Sequence, residues 1–175
     1  MKRFCLTLTT LALLAAASPA AAQSVDASRS GIRTNLVSAN PIGILFQWYN
    51  GEFEHALSPT VSLAAAGTSF DFEDVNYTAI DGIVRYYPGA RALHGFSVGA
   101  SAGFVRLYEE YDNCPQCEEE DESAFTVGVR TDYVWILGRD QHFTAAAGIG
   151  AKRLIGNDEG AGGLPIARLS IGWAF

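Results

Sequence analysis

The sequence predicts an all-β, eight-stranded antiparallel up-and-down transmembrane β-barrel. Three observations predict it: apolar residues mostly alternate with small or polar ones, turn-type clusters cut the chain into segments of strand length, and the connections alternate in character. Alternation is the period-2 signature of a strand with two unlike faces. A tilted strand needs roughly 9–11 residues to cross the hydrocarbon core, which is close to the spacing of the turns. No apolar run after residue 22 approaches the ~20 residues of a spanning helix, so if this chain enters a membrane it does so as strands.

Residues 1–22 are read as a cleaved secretory signal peptide and 23–175 as the barrel. Lys2 and Arg3 form a basic start, Leu6 to Ala17 an apolar stretch, and Ala20, Ala21 and Ala22 a small-residue cleavage site before Gln23. Cys5 lies in the basic region, not directly after the cleavage site, so no lipid anchor is expected. Without Lys2 and Arg3, Lys+Arg falls from 12 to 10 against 19 Asp+Glu, and the formal charge moves from −7 to −9. That balance argues against nucleic acid as a partner.

The segments fall at about 31–38, 43–56, 60–70, 77–88, 95–108, 123–137, 141–154 and 164–175. The first five are bounded by turn residues. In the second, Phe46, Trp48, Glu52 and Glu54 share parity, so a bulge is expected there, because one slipped residue exchanges the two faces of a strand. The sixth sets Phe125, Val127, Val129, Tyr133 and Trp135 against Thr126, Gly128, Arg130 and Asp132. The seventh is weaker, with Phe143, Ala145, Ala147 and Ile149 opposite mostly small residues, a pattern that also suits a soluble sandwich. The eighth is the cleanest: Ala167, Leu169, Ile171, Trp173 and Phe175 share one face, Arg168, Ser170, Gly172 and Ala174 the other.

With the N-terminus in the periplasm, the connections at 57–59, 89–94 and 138–140 are the short periplasmic turns, and 109–122 and 156–163 the longer outward loops. The first outward connection, about 39–42, is short and departs from the rule. A last strand ending in Trp173 and Phe175 is like the signal that the barrel assembly machinery reads, which places the protein in the outer membrane. Tyr86, Tyr87, Tyr108, Tyr111, Tyr133, Trp135 and Trp173 near strand ends suit two aromatic girdles.

Thr34-Asn35-Leu36, Gly51-Glu52-Phe53-Glu54-His55-Ala56-Leu57 and Val84-Arg85-Tyr86-Tyr87-Pro88 resemble motifs of a family of small outer-membrane barrels of unassigned function, within the eight-stranded class similar to the OmpA and OmpX barrels. The resemblance covers nearly the whole mature chain. It implies a fold and an address, not a reaction.

The lumen-facing parity collects Arg33, Asn35, Glu52, Glu54, Asp81, Arg85, Arg130, Asp132 and Arg168. Eight strands leave an interior that side chains just fill, and charges there must pair because an isolated buried ion is costly. The expected result is a salt-bridged plug; the sharper alternative is a narrow, gated ion path. Cys114 and Cys117 form a CxxC in the third outward loop and are expected to close as a disulfide in an oxidising compartment. Around them stand Glu109, Glu110, Asp112, Glu118, Glu119, Glu120, Asp121 and Glu122. Such a run is ordinarily a solvated segment. Its oxygens are also candidates for weak Ca²⁺ or Mg²⁺ binding, the ions that bridge lipopolysaccharide phosphates, although the pattern of a dedicated calcium loop is missing.

His55 and His94 adjoin periplasmic turns and are expected at the surface. His142 with Thr144 is the nearest approach to a catalytic pair, at the rim away from the outer leaflet where lipid-modifying enzymes work. The expected function is therefore non-enzymatic: a structural or interaction barrel, monomeric, without cofactor or metal, in contact with outer-membrane lipid and lipopolysaccharide. A narrow channel is the second reading and a lipid-modifying enzyme the third.

Overall fold

A computed structural model describes residues 33–72, 75–109, 120–155 and 163–175; the expected signal peptide, Glu110, Asp112, Cys114, Cys117, Glu118 and Glu119 lie outside them. Eight strands pair in chain order and the ring closes: β1 (Asn35–Ala39), β2 (Trp48–Ala56), β3 (Val61–Phe72), β4 (Val75–Tyr86), β5 (Gly95–Glu109), β6 (Glu120–Leu137), β7 (Phe143–Ile155) and β8 (Gly163–Ala174). Every pairing is antiparallel. Closure leaves no strand edge to lipid, which a sheet crossing a membrane requires.

The outward face carries the apolar residues. Val37, Phe53, Leu63, Ile80, Val84, Phe104, Val129, Ile149, Leu169 and Ile171 all lie exposed on it. A protein that met water on this surface would expose far more contiguous apolar area than soluble monomers do; facing lipid, the same surface needs no cover. Tyr86, Tyr133, Trp135 and Trp173 lie on the outward face near the short-turn end and suit a girdle there. Tyr87 does not: it is fully buried inside the barrel.

Two expectations about the first hairpin change. Asn40 Oδ1 accepts from the backbone N–H of Ile42 and Gly43, capping a single helical turn, α1 (Pro41–Ile44). Pro41 offers no N–H to a ladder, so β2 begins at Trp48 instead of near 43, and residues 40–47 make a genuine outward connection. The expected bulge is absent. The register runs unbroken from Trp48↔Phe70 to Ala56↔Ser62, which keeps Trp48 on the inward parity with Glu52 and Glu54.

In β1 the faces are the reverse of those expected. Leu36 and Ser38 are buried inside, while Asn35 is on the other parity and its side chain meets Thr34 and His55. The reason lies at the closed end of the lumen, where Leu36 packs with Leu93 and Ala174. Val37 takes the lipid face between Phe53 and Trp173.

The β1–β8 seam is the shortest pairing, from Leu36↔Ala174 to Ala39↔Ile171. Phe175 extends it: its carbonyl accepts from the N–H of Thr34 at 3.2 Å and of Asn35 at 3.0 Å, and its N–H donates to Asn35 O at 2.9 Å. At the other extreme, β5 and β6 run 15 and 18 residues, beyond what a membrane crossing needs. Glu109, Glu120, Asp121 and Glu122, expected in the loop, are therefore strand residues in backbone terms, paired as Glu109↔Glu120, Tyr108↔Asp121 and Leu107↔Glu122.

Candidate functional site

The lumen is layered from the short-turn end upward. At the base, the turn between β4 and β5 folds back into the barrel mouth, where Ala92 N–H donates to Pro59 O at 2.8 Å. Leu93 is buried against Leu36 and Ala174, with Ala56 and Ala92 alongside. This apolar seal is why a turn that sequence reasoning left at the surface holds one of the core residues. His94, next to it, is half-buried, and burial first and neighbouring Arg91 second hold its pKa below the usual histidine value. His55 remains exposed, with Nδ1 2.8 Å from Asn35 Oδ1.

Above the seal lies the charged layer, centred on Arg85. Its Nη1 donates to Glu54 Oε2 at 2.7 Å, Nη2 to Glu52 Oε2 at 2.8 Å and Nε to Asp132 Oδ2 at 3.2 Å, and its side chain is 0% exposed. One guanidinium thus spends each of its three nitrogens on a different carboxylate. Tyr87 Oη donates to Glu54 Oε1 at 2.6 Å and Ser62 Oγ donates to the same oxygen, so Glu54 is fully committed. Arg130 grips Asp132 with Nε at 2.9 Å and Nη2 at 3.0 Å. Arg168 Nη2 donates to Glu52 Oε1 at 2.6 Å and to Ser38 Oγ at 3.3 Å. Higher up, Lys152 pairs with Asp81.

Seven of the eight charged residues assigned to the lumen from sequence come together here, and one does not. Arg33 precedes β1 and donates to the carbonyls of Asp140 and Gln141 in the turn between β6 and β7; it sits at the rim because its strand starts at Asn35, about four residues later than expected. Lys152 takes its place in the balance. The parity of Thr144, Ala146, Gly148 and Gly150 in β7 pointed to it, but the weak alternation there hid the signal. With Lys152 the layer holds Glu52, Glu54, Asp81 and Asp132 against Arg85, Arg130, Lys152 and Arg168, four of each sign.

Glycines make the room. Cβ atoms built at Gly103, Gly148 and Gly150 would run into the neighbouring strand and into Asp81, Asp132 and Arg130 respectively. The small inward residues of β5 and β7, which made β7 look indistinct in sequence, are what an interior packed with long charged side chains requires.

Toward the long-loop end the character changes again. Phe70 stacks on Tyr77 with ring centroids 4.8 Å apart, and Trp48 meets Phe70 edge-on at 6.3 Å. Between this stack, the charged layer and the start of β8 is a cavity of about 350 Å³. With the register of β2 unbroken, Trp48 stays on the inner wall and gives this cavity an aromatic side.

His142 is occupied structurally. Its Nδ1 lies 2.8 Å from Ala174 O and its ring stacks on Trp173 at 4.7 Å. Phe143 meets the same indole edge-on at 4.7 Å. The histidine therefore clasps the end of β8, and Trp173 is held by two rings from β7 and the residue before it.

A closed ring of eight antiparallel strands, apolar outside and charged within, is the fold of a small transmembrane β-barrel. Among solved structures the chain is similar to the N-terminal β-barrel domain of Pseudomonas aeruginosa OprF, with a TM-score of 0.51 and 19% identity over 83% of this chain and 100% of that one. It is also similar to Yersinia pestis Ail in a phospholipid bilayer nanodisc, at a TM-score of 0.46 and 12% identity over 82% and 99%. Neither the family models nor the curated proteins compared with the chain give a match.

Proposed function

We propose that the protein is a non-enzymatic structural or interaction barrel of the outer membrane. In this reading its lumen is closed to conduction, and its acidic, CxxC-containing third loop is the part turned toward cations, lipopolysaccharide or another cell. The observation that carries the reading is Arg85, buried and bonded to Glu52, Glu54 and Asp132 at 2.7 to 3.2 Å. A conducting path needs mobile or water-facing charges; here the guanidinium is locked from three sides, and the apolar contact of Leu36, Leu93 and Ala174 lies beneath it. Breaking such a layer is costly because removing one ion leaves its partners buried and unpaired.

Planar-bilayer recording of the purified barrel tests this. The expected result is silence for the wild type, and no selective current for Arg130→Gln or Asp132→Asn. Discrete current steps in the wild type whose ion selectivity changes with either substitution would reject the plug and establish the narrow channel in its place.

A further inference from the structure

We propose that the cavity in the outer half of the lumen is a binding pocket for a small organic anion with an apolar, one- or two-ring body. Its volume of about 350 Å³ falls within the usual range of small-molecule pockets, roughly 300–1,000 Å³. Its two sides differ in chemistry. Arg130, Lys152 and Arg168 come from the adjacent strands β6, β7 and β8 and form one wall, while Trp48 and Phe70 on β2 and β3 form the other.

The cationic wall retains unused hydrogen-bonding capacity. Arg168 is nine-tenths buried, yet its Nη1 is a buried donor without a hydrogen-bond partner among the described residues; Asp132 Oδ1 is 3.7 Å away. Arg130 spends Nε and Nη2 on Asp132 and leaves Nη1 at 3.8 Å from Glu52. Ser101 Oγ, also on the cavity wall, is buried without a partner. A buried donor left unmade costs free energy that a bound acceptor recovers.

Charge sets the sign of the ligand. The cavity is lined by three cations and two carboxylates, Glu52 and Asp81. Glu52 already accepts from Arg85 and Arg168. Asp81 is held by Lys152 through one oxygen; the other, Oδ1, is buried without a hydrogen-bond partner among the described residues and is turned to the β5 wall, 2.5 Å from where a Cβ at Gly103 would stand. Among these lining residues the excess is positive, so a carboxylate or sulfonate fits there, with its ring system against Trp48 and Phe70.

The pocket rests on a lumen closed beneath it, and its test is separate from conduction. The full barrel in lipid nanodiscs is titrated with 2-naphthoate, 2-naphthalenemethanol and 2-naphthylmethylamine while the indole N–H resonances of Trp48, Trp135 and Trp173 are followed by NMR. Saturable movement of the Trp48 signal with naphthoate alone is expected. Binding should weaken about tenfold or more in Lys152→Gln and in Arg168→Gln, the loss of one charge-assisted hydrogen bond. Trp48→Leu, which leaves every ion pair intact, should weaken it as well; heat-modifiable electrophoresis verifies that each variant is folded. Equal affinity for the alcohol or the amine, movement of the lipid-facing Trp135 and Trp173 signals instead, or unchanged affinity in Lys152→Gln and Trp48→Leu would overturn the proposal. A silent barrel that binds no naphthoate refutes the pocket alone, and a conducting barrel refutes the plug.

Discussion

Arg85→Met is expected to cost the barrel about 3–5 kcal/mol of stability, the penalty for stranding buried ions by removing one partner. Three carboxylates lose their common cation at once, and Glu54 is the worst placed, because its side chain is 0% exposed and only Tyr87 and Ser62 remain to it. The measurement is the denaturant midpoint of the folded barrel in lipid vesicles. Adding Glu54→Gln to Arg85→Met should recover part of the loss, since the second change removes a stranded charge. A midpoint shift below ~1 kcal/mol for Arg85→Met, or no coupling between the two changes, would mean that water reaches the layer and that it is not a plug.

Gly148→Val should be nearly as damaging although it alters no charge. A Cβ at this position collides with Asp132 Oδ1 and comes within 2.7 Å of the Thr131 carbonyl, which is backbone and cannot step aside. Asp132 has to leave, and with it go the contacts to Arg85 at 3.2 Å and Arg130 at 2.9 Å. Overpacking costs of about 1–3 kcal/mol then add to those of unpaired arginines, so a loss of roughly 3 kcal/mol or more is expected. Gly67→Val is the control, because nothing lies within 4 Å of a Cβ there. It should change the midpoint little, and equal losses at the two positions would show that the interior is not packed as described.

How far the sequence revealed this depends on which face of a strand carried the signal. In β8, where Arg168 and Ser170 oppose Leu169 and Ile171, polarity marks the two faces and the reading is direct. In β1 it misleads, because the inward residue at the sealed end is Leu36, while Arg33 and Asn35 serve the rim; near the mouth of a barrel the inward face is no longer the polar one. Tyr87 looked like an interfacial aromatic and is instead a donor to Glu54, since a tyrosine at a strand end fits either place until the register is known. The pairings themselves are non-local: Glu52 and Arg168 are 116 residues apart in the chain and meet only because β2 and β8 both flank β1 in the closed ring. The sequence supplied the set of charges almost completely, with Lys152 for Arg33 the one exchange, but nothing in it stated who pairs with whom or that a cavity would remain above them.

The most direct test of the central claim, a closed membrane barrel with a packed charged interior, is electrophoresis of the detergent-solubilised outer-membrane fraction with and without boiling. A compact band that shifts to slower or faster mobility only after heating is the predicted result, since a ring with no free edge and paired charges within resists detergent at room temperature. Recovery of the chain in the soluble periplasmic fraction, with one mobility in both lanes, would contradict it.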